Sequence, residues 1–410
     1  MKFNLVTLEE ISGGGSYGLG ASASSDDSGP KFLRTTDIAS GTISWEDVPF
    51  CRADSTTISK YRLFPNDIVI SRTGANAGLN CLVLNPPENA IFAGYLVRFQ
   101  IKKEIADAKF VSYVLRSEIW NDYVGIARTG SAQPQFNAVL MGKFPLSLPE
   151  LGVQKSISSI LGVIDEKISA NNALSKTLED IAQTIFKSWF IDFDPVKAKM
   201  ARAKPSGMDA STAALFPDSM AESEMGLIPK SWEIAILGEV VDLSWGDTKT
   251  TKASYVTEGF LAYSAKGQDG YLNKFDYSEI GIILSAIGAG CGRTWLATGQ
   301  WSCIKNTIRI IANSNYVESI PYVYILTRNA NFWPKRGSAQ PFIAQEDSRG
   351  LRILVPSREL LVRFSGITTP IFQQITNLAL ENIKLQRIRD CLLPALISGE
   401  LQIPKEMLAI

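Results

Sequence analysis

Two short segments contain residue types that could take part in catalysis. Asn85-Pro86-Pro87-Glu88 matches the Asn-Pro-Pro-aromatic loop of DNA amino-methyltransferases except at its last position. That loop needs an aromatic ring to stack on a flipped base, and Glu88 cannot supply one. Residues 288–294 are similar to a phosphate-binding loop, but Ile287 stands where the first glycine belongs and Arg293 replaces the lysine. Both segments are therefore predicted to be turns without a catalytic role.

The composition excludes several kinds of site. The 410 residues include no histidine, which rules out histidine-activated nucleophiles and histidine metal ligands. The five cysteines show no metal-site spacing, so we expect no metal and buried thiols in a reducing cytoplasm. Basic and acidic residues balance at 41 each, so any nucleic-acid-binding surface must be local. No apolar run approaches the roughly 18 residues of a membrane span, and no membrane association is expected.

The chain contains an internal repeat. Gly130-Ser131-Ala132-Gln133-Pro134 recurs 207 residues later as Gly337-Ser338-Ala339-Gln340-Pro341. At this offset apolar residues continue to match apolar residues, without a gap, to the end of a long helical pattern. Upstream the offset drifts, for example to 228 where Phe32-Leu33 matches Phe260-Leu261. The pattern predicts two copies of one unit whose first half has diversified and whose second half has kept one geometry.

Each copy is predicted to end in a long helix. Apolar or seam residues fall seven apart in both helices: Ile157, Ile164, Asn171, Leu178 and Ile185 in the first, and Phe364, Ile371, Leu378, Leu385 and Leu392 in the second. Ile160, Leu174 and Ile181 are predicted to fill the companion positions of the first helix. Sustained heptads favour a coiled-coil seam, and two matching helices in one chain are expected to pack antiparallel. Asn171 is expected either to fix the register of the seam or to lie in a bend in contact with water.

An aromatic segment follows the first helix. It contains Phe186, Trp189, Phe190 and Phe193, which are more aromatic residues than a two-helix seam needs. Two interpretations stay open at this point. The rings either form a local core or form a docking face for another protein, since aromatic residues concentrate at such faces.

The segments before the helices are typical of mixed α/β domains. Residues 67–71 and 281–285 are strand-like and run into glycine-punctuated turns, and short helices are expected near 109–122 and 318–329. The predicted fold class is α+β, with two similar mixed α/β domains joined by two long antiparallel coiled-coil helices in a pseudo-two-fold internal repeat. The predicted segments are 1–149 (first domain), 150–194 (first conserved long helix), 195–228 (linker), 229–356 (second domain), 357–398 (second conserved long helix) and 399–410 (C-terminal tail).

Four motifs, taken in order, make the sequence recognisable. They are the Gly-Ser-Ala-Gln-Pro repeat, the aromatic segment up to Pro195, Met225-Gly226-Leu227-Ile228-Pro229-Lys230-Ser231-Trp232-Glu233, and Leu392-Leu393-Pro394-Ala395-Leu396-Ile397-Ser398-Gly399-Glu400-Leu401. With these motifs the chain resembles the specificity subunits of type I restriction–modification systems over essentially its whole length. Ser231 departs from the glycine that the family often has.

The resemblance implies a non-catalytic, cytoplasmic subunit with two target-recognition domains, each recognising half of a bipartite double-stranded DNA sequence. It implies two methyltransferase (modification) subunits docked on the helices, and restriction/motor subunits that join them. S-adenosylmethionine, ATP and magnesium would be bound by those partners and not by this chain. Two other functions stay open: a stand-alone DNA methyltransferase or nuclease, and a scaffold or decoy for the methyltransferase that does not bind DNA.

Polar residues in the turns are the candidates for DNA contact, because Arg, Lys, Asn and Gln recognise base edges while other polar groups hold phosphates. In the first domain they are Arg72, Thr73, Asn76, Arg128, Ser131 and Gln133. In the second domain they are Lys266, Arg293, Thr294, Arg336, Ser338 and Gln340. The Gly-Ser-Ala-Gln-Pro segment is identical in both copies, so it is expected to contact phosphate or to brace the domain on its helix.

Overall fold

The computed structural model describes residues 3–39, 41–127, 136–338, 340–401 and 403. The chain divides into two units. Unit 1 combines Met1–Ser169 with Asn382–Ile410, and unit 2 is Ala170–Glu381. The first long helix is Leu151–Phe186 and the second is Arg358–Ser398, so the division falls inside both helices and each unit contains a part of each.

Unit 1 is built on a four-stranded antiparallel sheet. Its strands, in spatial order, are Gly15–Tyr17, Leu96–Gln100, Asp67–Ser71 and Asn80–Leu82. Asp67–Ser71 is buried at every position, as suits its run of β-branched residues. Two further strand pairs are Asn4–Thr7 with Pro145–Leu148 and Phe32–Leu33 with Ile91–Phe92. The short helices are Leu8–Ser12, Thr35–Ile38, Ser55–Tyr61, Gly74–Asn76, Ala108–Val114, Glu118–Ala127 and Ala138–Gly142.

The core of unit 1 joins the sheet, its helices and the end of the chain. Trp120 is buried, donates its indole N–H to the Gly78 carbonyl at 2.8 Å, and packs edge-on against Phe144 with ring centres 4.9 Å apart. The same cluster contains three residues from the last turns of the second long helix, namely Leu393, Leu396 and Ile397. Unit 1 is therefore completed by residues far along the chain from its sheet.

Unit 2 has a sheet of the same design. Its four antiparallel strands, in spatial order, are Val241–Trp245, Thr307–Ala312, Gly281–Ser285 and Thr294–Ala297. A three-stranded sheet contains Gly267–Leu272, Phe260–Ser264 and Trp301–Cys303, and Glu233–Ile236 pairs with Arg352–Val355. The short helices of this part are Leu237–Val240, Lys252–Ser254, Ser314–Ser319, Ile320–Leu326 and Gln345–Arg349.

The segment expected as a linker, 195–228, is packed into unit 2. It forms the helices Asp194–Met200 and Ala210–Ala214 and an antiparallel strand pair, Met220–Ser223 with Gly226–Pro229. Val196 and Phe216 from this segment are buried in the core of the unit. The strand pair is a feature that the sequence did not predict, because its strands are too short for a clear alternation of apolar and polar residues.

The fold class is confirmed, and the repeat is visible in the strand register. Ser71 pairs with Leu96 in unit 1, and Ser285 pairs with Thr307 in unit 2. Ala93 lies three residues before Leu96, and its amide donates to the Leu33 carbonyl at 2.9 Å. Ile304 lies three residues before Thr307, and its amide donates to the Tyr263 carbonyl at the same distance. Leu33 therefore corresponds to Tyr263, and the sequence match of Leu33 with Leu261 was wrong by two residues. Matching the Phe-Leu pairs by identity ignored the neighbouring strand that fixes the register.

The short helices differ in detail from the prediction. The single helix expected near 109–122 is two helices, Ala108–Val114 and Glu118–Ala127, separated by a turn around Ser117. The helix expected near 318–329 is Ile320–Leu326, and the 3-10 helix Ser314–Ser319 leads into it.

The long helices run antiparallel. Within unit 2, Asn171 donates a hydrogen bond to Glu381 at 2.9 Å, and Phe186 packs against Phe364 with ring centres 6.1 Å apart. Residue numbers thus rise along one helix as they fall along the other. Asn171 is buried and bonded, which matches the register-fixing interpretation rather than a wet bend. Although both helices are long, no helix among the described residues is long and apolar enough to cross a membrane.

The companion positions of the first helix differ from the prediction. Leu174 and Ile181 are 46% and 44% exposed, whereas Ala182 is completely buried. One residue further along, Ala182 is buried and Ser175 is partly buried, while Ile160 is partly buried as predicted. The predicted heptad positions are buried or partly buried in both helices: Ile157, Ile164, Asn171, Leu178, Ile185, Phe364, Ile371, Leu378, Leu385 and Leu392.

A polar cluster holds the first domain on the helices of unit 1. Asp165 accepts a hydrogen bond from the Tyr113 hydroxyl at 2.7 Å and another from Arg389 at 2.8 Å. Arg116 lies 3.9 Å from the same carboxylate. Burial, followed by the bond to Asp165, raises the pKa of Tyr113, so its hydroxyl stays a donor at ordinary pH. A domain helix and both long helices therefore meet at one carboxylate.

Candidate nucleic-acid interface

A turn rich in glycine follows the central strand of the unit 1 sheet. In residues 72–78, Gly74 and Gly78 have φ angles of 69° and 92°, in the left-handed region that favours glycine. The Gly78 amide donates to the Ser71 carbonyl at 2.8 Å and closes the turn. A Cβ on Gly78 would also lie 2.6 Å from the side chain of Val124, so a larger residue would not fit.

Unit 2 has the same turn 214 residues later. Gly288 and Gly292 have φ angles of 94° and 95°, and the Gly292 amide donates to the Ser285 carbonyl at 2.9 Å. Residues 72–78 and 286–292 are called the glycine turns below. Their backbones match residue by residue, so they form equivalent surfaces on the two units.

Each glycine turn lies beside the repeated Gly-Ser-Ala-Gln-Pro segment. The Phe136 amide, just after the segment in unit 1, donates to the Arg72 carbonyl at 2.9 Å. The Ile343 amide donates to the Ala286 carbonyl in unit 2 at the same distance. Three of the residues predicted to contact DNA here lie outside the described residues, namely Arg128, Ser131 and Gln133.

In unit 2 this segment is a loop that emerges beside the glycine turn. Arg336 and Phe342 exchange backbone hydrogen bonds of 2.8 and 2.9 Å at its base, and Ser338 and Gln340 are exposed. The Arg336 guanidinium makes two hydrogen bonds to Asp347, at 2.7 and 2.5 Å, which raise the pKa of Arg336. The charge of Arg336 is therefore already balanced by a carboxylate.

Arg72 lies between two exposed aromatic rings. Its Nε donates to the Gly94 carbonyl at 2.9 Å, and its guanidinium carbon is 5.2 Å from the ring centre of Tyr17 and 6.0 Å from that of Tyr95. These tyrosines are 45% and 60% exposed. The arrangement fixes a cation and two flat apolar surfaces at the end of the sheet.

The other predicted residues divide by exposure. Asn76 is exposed in its turn, and Thr73 is half-buried. Lys266 and Arg293 are exposed in unit 2. The loop that contains Lys266 passes close to Gly290 of the glycine turn, since a Cβ added to Gly290 would lie 3.5 Å from the Ala265 carbonyl oxygen. The structure therefore brings the loop of Lys266 to the glycine turn that precedes Arg293.

Thr294 differs from the other candidates. It begins the strand Thr294–Ala297, at the place that Asn80 holds in unit 1. Its hydroxyl is buried and has no hydrogen-bond partner among the described residues. The prediction of Thr294 as a turn residue open to DNA was therefore wrong, because the strand starts one residue after Arg293.

Sequence reasoning missed an exposed aromatic residue at the same place in each unit. Tyr17 pairs with Val97 at the end of its strand, and Trp245 pairs with Ile308 at the end of the equivalent strand. Each is followed by a glycine whose added Cβ would lie 2.4 Å from a backbone carbonyl oxygen. The aromatic-glycine pair, repeated at an offset of 228, was the available signal.

Comparisons with known proteins give consistent similarities. The family described as type I restriction modification DNA specificity domain matches residues 27–180. The type I restriction enzyme MjaIX specificity subunit of Methanocaldococcus jannaschii is 22% identical over 364 residues, which cover 83% of this chain and 79% of that protein. The HindI specificity subunit of Haemophilus influenzae is 25% identical, with 84% of this chain and 88% of that protein covered. The chain is similar to the specificity subunits of type I restriction–modification systems over most of its length.

A solved structure agrees with the fold of this chain. The S subunit of a type I restriction–modification system from M. genitalium has a TM-score of 0.58 at 16% identity, covering 97% of this chain and 96% of that one.

The two segments that resembled catalytic motifs have ordinary structural explanations in this chain. Asn85 has a φ of 45° and lies in a loop that ends with a hydrogen bond from Ala90 to Pro87 at 3.0 Å. In the unit 2 glycine turn, the amides of Cys291 and Gly292 donate to carbonyls of the same turn and strand. These N–H groups are therefore not free to bind a phosphate.

The aromatic segment after the first long helix is largely interior. Phe186, Trp189 and Phe190 are 3–6% exposed and belong to the core of unit 2, and Phe193 is half-buried against Trp232. Their ring partners are Phe216, Trp232, Tyr322 and Phe364. Contacts within unit 2 thus account for the four aromatic residues without a docked partner, which favours the core interpretation.

Proposed function

We propose that this specificity subunit binds double-stranded DNA at the glycine-turn end of each sheet, with one unit recognising each half of a bipartite target. The observation that carries the proposal is that the two glycine turns share one backbone conformation but present different side chains. Arg72 corresponds to Ala286 and Asn76 to Gly290, because the turns match at a fixed offset. Equivalent surfaces with different side chains are what recognition of two different half-sites requires.

The charge distribution supports the same surface. The chain has no net charge, so attraction to phosphates has to come from local groups. Arg72 provides a cation at the turn of unit 1, and Lys266 and Arg293 provide exposed cations at the turn of unit 2. Among the described residues, no carboxylate oxygen lies within 4.0 Å of the charged nitrogens of Lys266 or Arg293. Both cations are therefore available to bind a polyanion.

Removing a turn cation should weaken recognition of a single half-site. In the full chain assembled with its modification subunit, Arg72→Ala is expected to lower affinity for the first half-site and Arg293→Ala for the second, each by about 1–3 kcal/mol if the residue contacts a base. The target is first mapped by the positions of methylated adenines, and affinity is then measured by fluorescence anisotropy on duplexes with one half-site altered. Lys155→Ala and Arg358→Ala, which remove cations from the long helices, serve as controls. Unchanged affinity in both turn variants would place the binding surface elsewhere.

The modification subunits are proposed to dock on the outer face of the long helices. Leu174 and Ile181 lie one heptad apart on the first helix and are nearly half exposed. Leucine and isoleucine on one face of a helix are suited to an apolar interface. S-adenosylmethionine, ATP and magnesium would be held by the modification and restriction subunits, which supply the chemistry that a specificity subunit directs.

Polar replacement of this helix face should release the modification subunit. The double variant Leu174→Lys, Ile181→Lys keeps good helix formers but removes the apolar surface, and each buried side chain of this size contributes about 1.5–3 kcal/mol. We expect at least a tenfold weaker complex in a titration followed by light scattering, with an unchanged melting temperature of the free chain. Val317→Lys, a similarly exposed apolar position in unit 2, is the control. Undiminished binding in the double variant would refute this docking site.

A further inference from the structure

Resting on the proposed DNA-binding role of the glycine-turn surfaces, we infer that Tyr17 and Trp245 are equivalent aromatic base contacts, one for each half-site. Each ring closes the first strand of its sheet, and one strand separates it from the strand that leads into the glycine turn. The inferred contact is apolar, between the face or edge of the ring and a base in the groove. Such contacts carry sequence information that phosphate contacts lack.

The equivalence of the two positions follows from backbone pairing. Tyr17 and Trp245 stand opposite Val97 and Ile308, which are the second residues of matching strands. The following glycines donate to the first residues of those strands, at 3.3 Å for Gly18 and 2.9 Å for Gly246. Both strands thus turn away at the same point, immediately after the aromatic residue.

Both rings are exposed, although aromatic residues are usually buried. Tyr17 is 45% exposed and Trp245 is 42% exposed. A single exposed ring would need no explanation, since folded surfaces contain many apolar atoms. An exposed ring of different chemistry at one structural position in two diverged copies indicates a shared use with different targets.

The ring in unit 1 is held in place before any ligand arrives. The Tyr17 hydroxyl accepts a hydrogen bond from the Ala138 amide at 3.1 Å, and the Arg72 guanidinium covers one side of the ring. Ala138 begins the helix that follows the Gly-Ser-Ala-Gln-Pro segment. A fixed ring loses little conformational freedom on binding, so its contact energy is available to the complex.

The surroundings of Trp245 favour a polyanion over an apolar protein surface. Exposed Lys305 and Asn306 lie in the turn before the neighbouring strand, and the Asn306 carbonyl accepts from the glycine turn at 3.0 Å. The nearby carboxylate of Asp247 accepts hydrogen bonds from Thr250 and from the Lys249 amide, which lower its pKa, so it keeps its negative charge. A ring, a cation and an amide are therefore exposed here, with this hydrogen-bonded carboxylate beside them.

The test uses the full chain with its modification subunit and two duplexes, the mapped target and a copy with one half-site scrambled. Tyr17→Ala is expected to lower affinity for the target about tenfold or more. Its affinity for the duplex with the first half-site scrambled should not change, and neither should the salt dependence of binding. Trp245→Ala should behave in the same way for the second half-site. Tyr17→Phe keeps the ring and should retain most of the affinity.

The controls are Phe64→Ala and Phe275→Ala, which remove rings of similar exposure, at 43% and 39%. Phe64 precedes the opposite end of the strand Asp67–Ser71, where its amide donates to Asp67. Target affinity equal to the controls, or an equal loss on both duplexes, would overturn the inference. If Arg72→Ala weakens binding while Tyr17→Ala does not, only the aromatic contact is refuted. If neither variant weakens binding, the proposed DNA surface fails as well.

Discussion

Replacing both Trp189 and Phe190 with alanine is expected to unfold unit 2. Each ring contacts three or more others in the core, and Phe190 lies 4.9 Å from the ring centres of both Tyr322 and Phe364. Truncation of a buried Phe or Trp to Ala costs about 3–5 kcal/mol, and a whole domain is stable by only about 5–15 kcal/mol. The double variant should therefore lose the cooperative unfolding transition of unit 2 in urea, followed by tryptophan fluorescence and circular dichroism.

The neighbouring Ile191 provides a matched control. It is 52% exposed, so Ile191→Ala should change the free energy of unfolding by less than about 1 kcal/mol. A double variant that kept full stability and lost only its modification subunit would restore the docking interpretation of the aromatic segment. Lost stability with normal behaviour of Ile191→Ala would establish that the segment is core.

A fragment of residues 1–204 is expected to form a dimer. It lacks Asn382–Ile410, which supplies Leu393, Leu396 and Ile397 to the core of unit 1. By the 207-residue offset, the equivalents of these three residues lie at 186, 189 and 190 of a second fragment. Pairing of two fragments would cover the exposed seam of each, and a self-complementary contact closes at two copies. Sedimentation equilibrium at micromolar concentration should give twice the monomer mass, and a monomer there would contradict the two-unit interpretation.

The fragment dimer should be weaker than the intact pairing, for a specific reason. Arg389 and Glu381, which bond to Asp165 and Asn171, correspond to Ala182 and Leu174 in the first copy. The double variant Ala182→Arg, Leu174→Glu would restore both hydrogen bonds, each present twice in a symmetric dimer. At about 1 kcal/mol per bond, the dissociation constant should fall more than tenfold. Ala182→Glu, Leu174→Arg, with the charges reversed, should loosen the dimer. Equal effects of the two variants would argue against this register.

The sequence predicted the parts of the fold that depend on a long period. The sequence allowed us to recognise the two long helices, their antiparallel packing and the repeat of the sheets. The heptad pattern extends over each long helix, and an identical five-residue segment marks the start of the gapless match between the two copies. Two of the three companion positions, Leu174 and Ile181, were wrong. They were chosen because they are apolar, whereas the residue that is buried nearby is the small Ala182.

The candidate surface was only half predictable. Arg72 and Arg293 follow strands and glycines in the sequence, and the structure does put both at the glycine turns. They are not equivalent, however, because Arg72 corresponds to Ala286 and Arg293 to Leu79. Tyr17 and Trp245 went unnoticed because an aromatic-glycine pair repeated at an offset of 228 is a short signal. The hydrogen bonds between strands establish that the two residues share a position.

The division of the chain also sets the order in which it can fold during synthesis. Unit 2 is one continuous stretch, Ala170–Glu381, whereas unit 1 needs both Met1–Ser169 and Asn382–Ile410. On the ribosome, the first domain emerges early but lacks part of its core until the last residues have been added. Unit 2 has all its residues sooner. The core of unit 1 therefore stays incomplete in the nascent chain, where neighbouring copies on one messenger could pair through it. The domain that is translated first is the last to be completed.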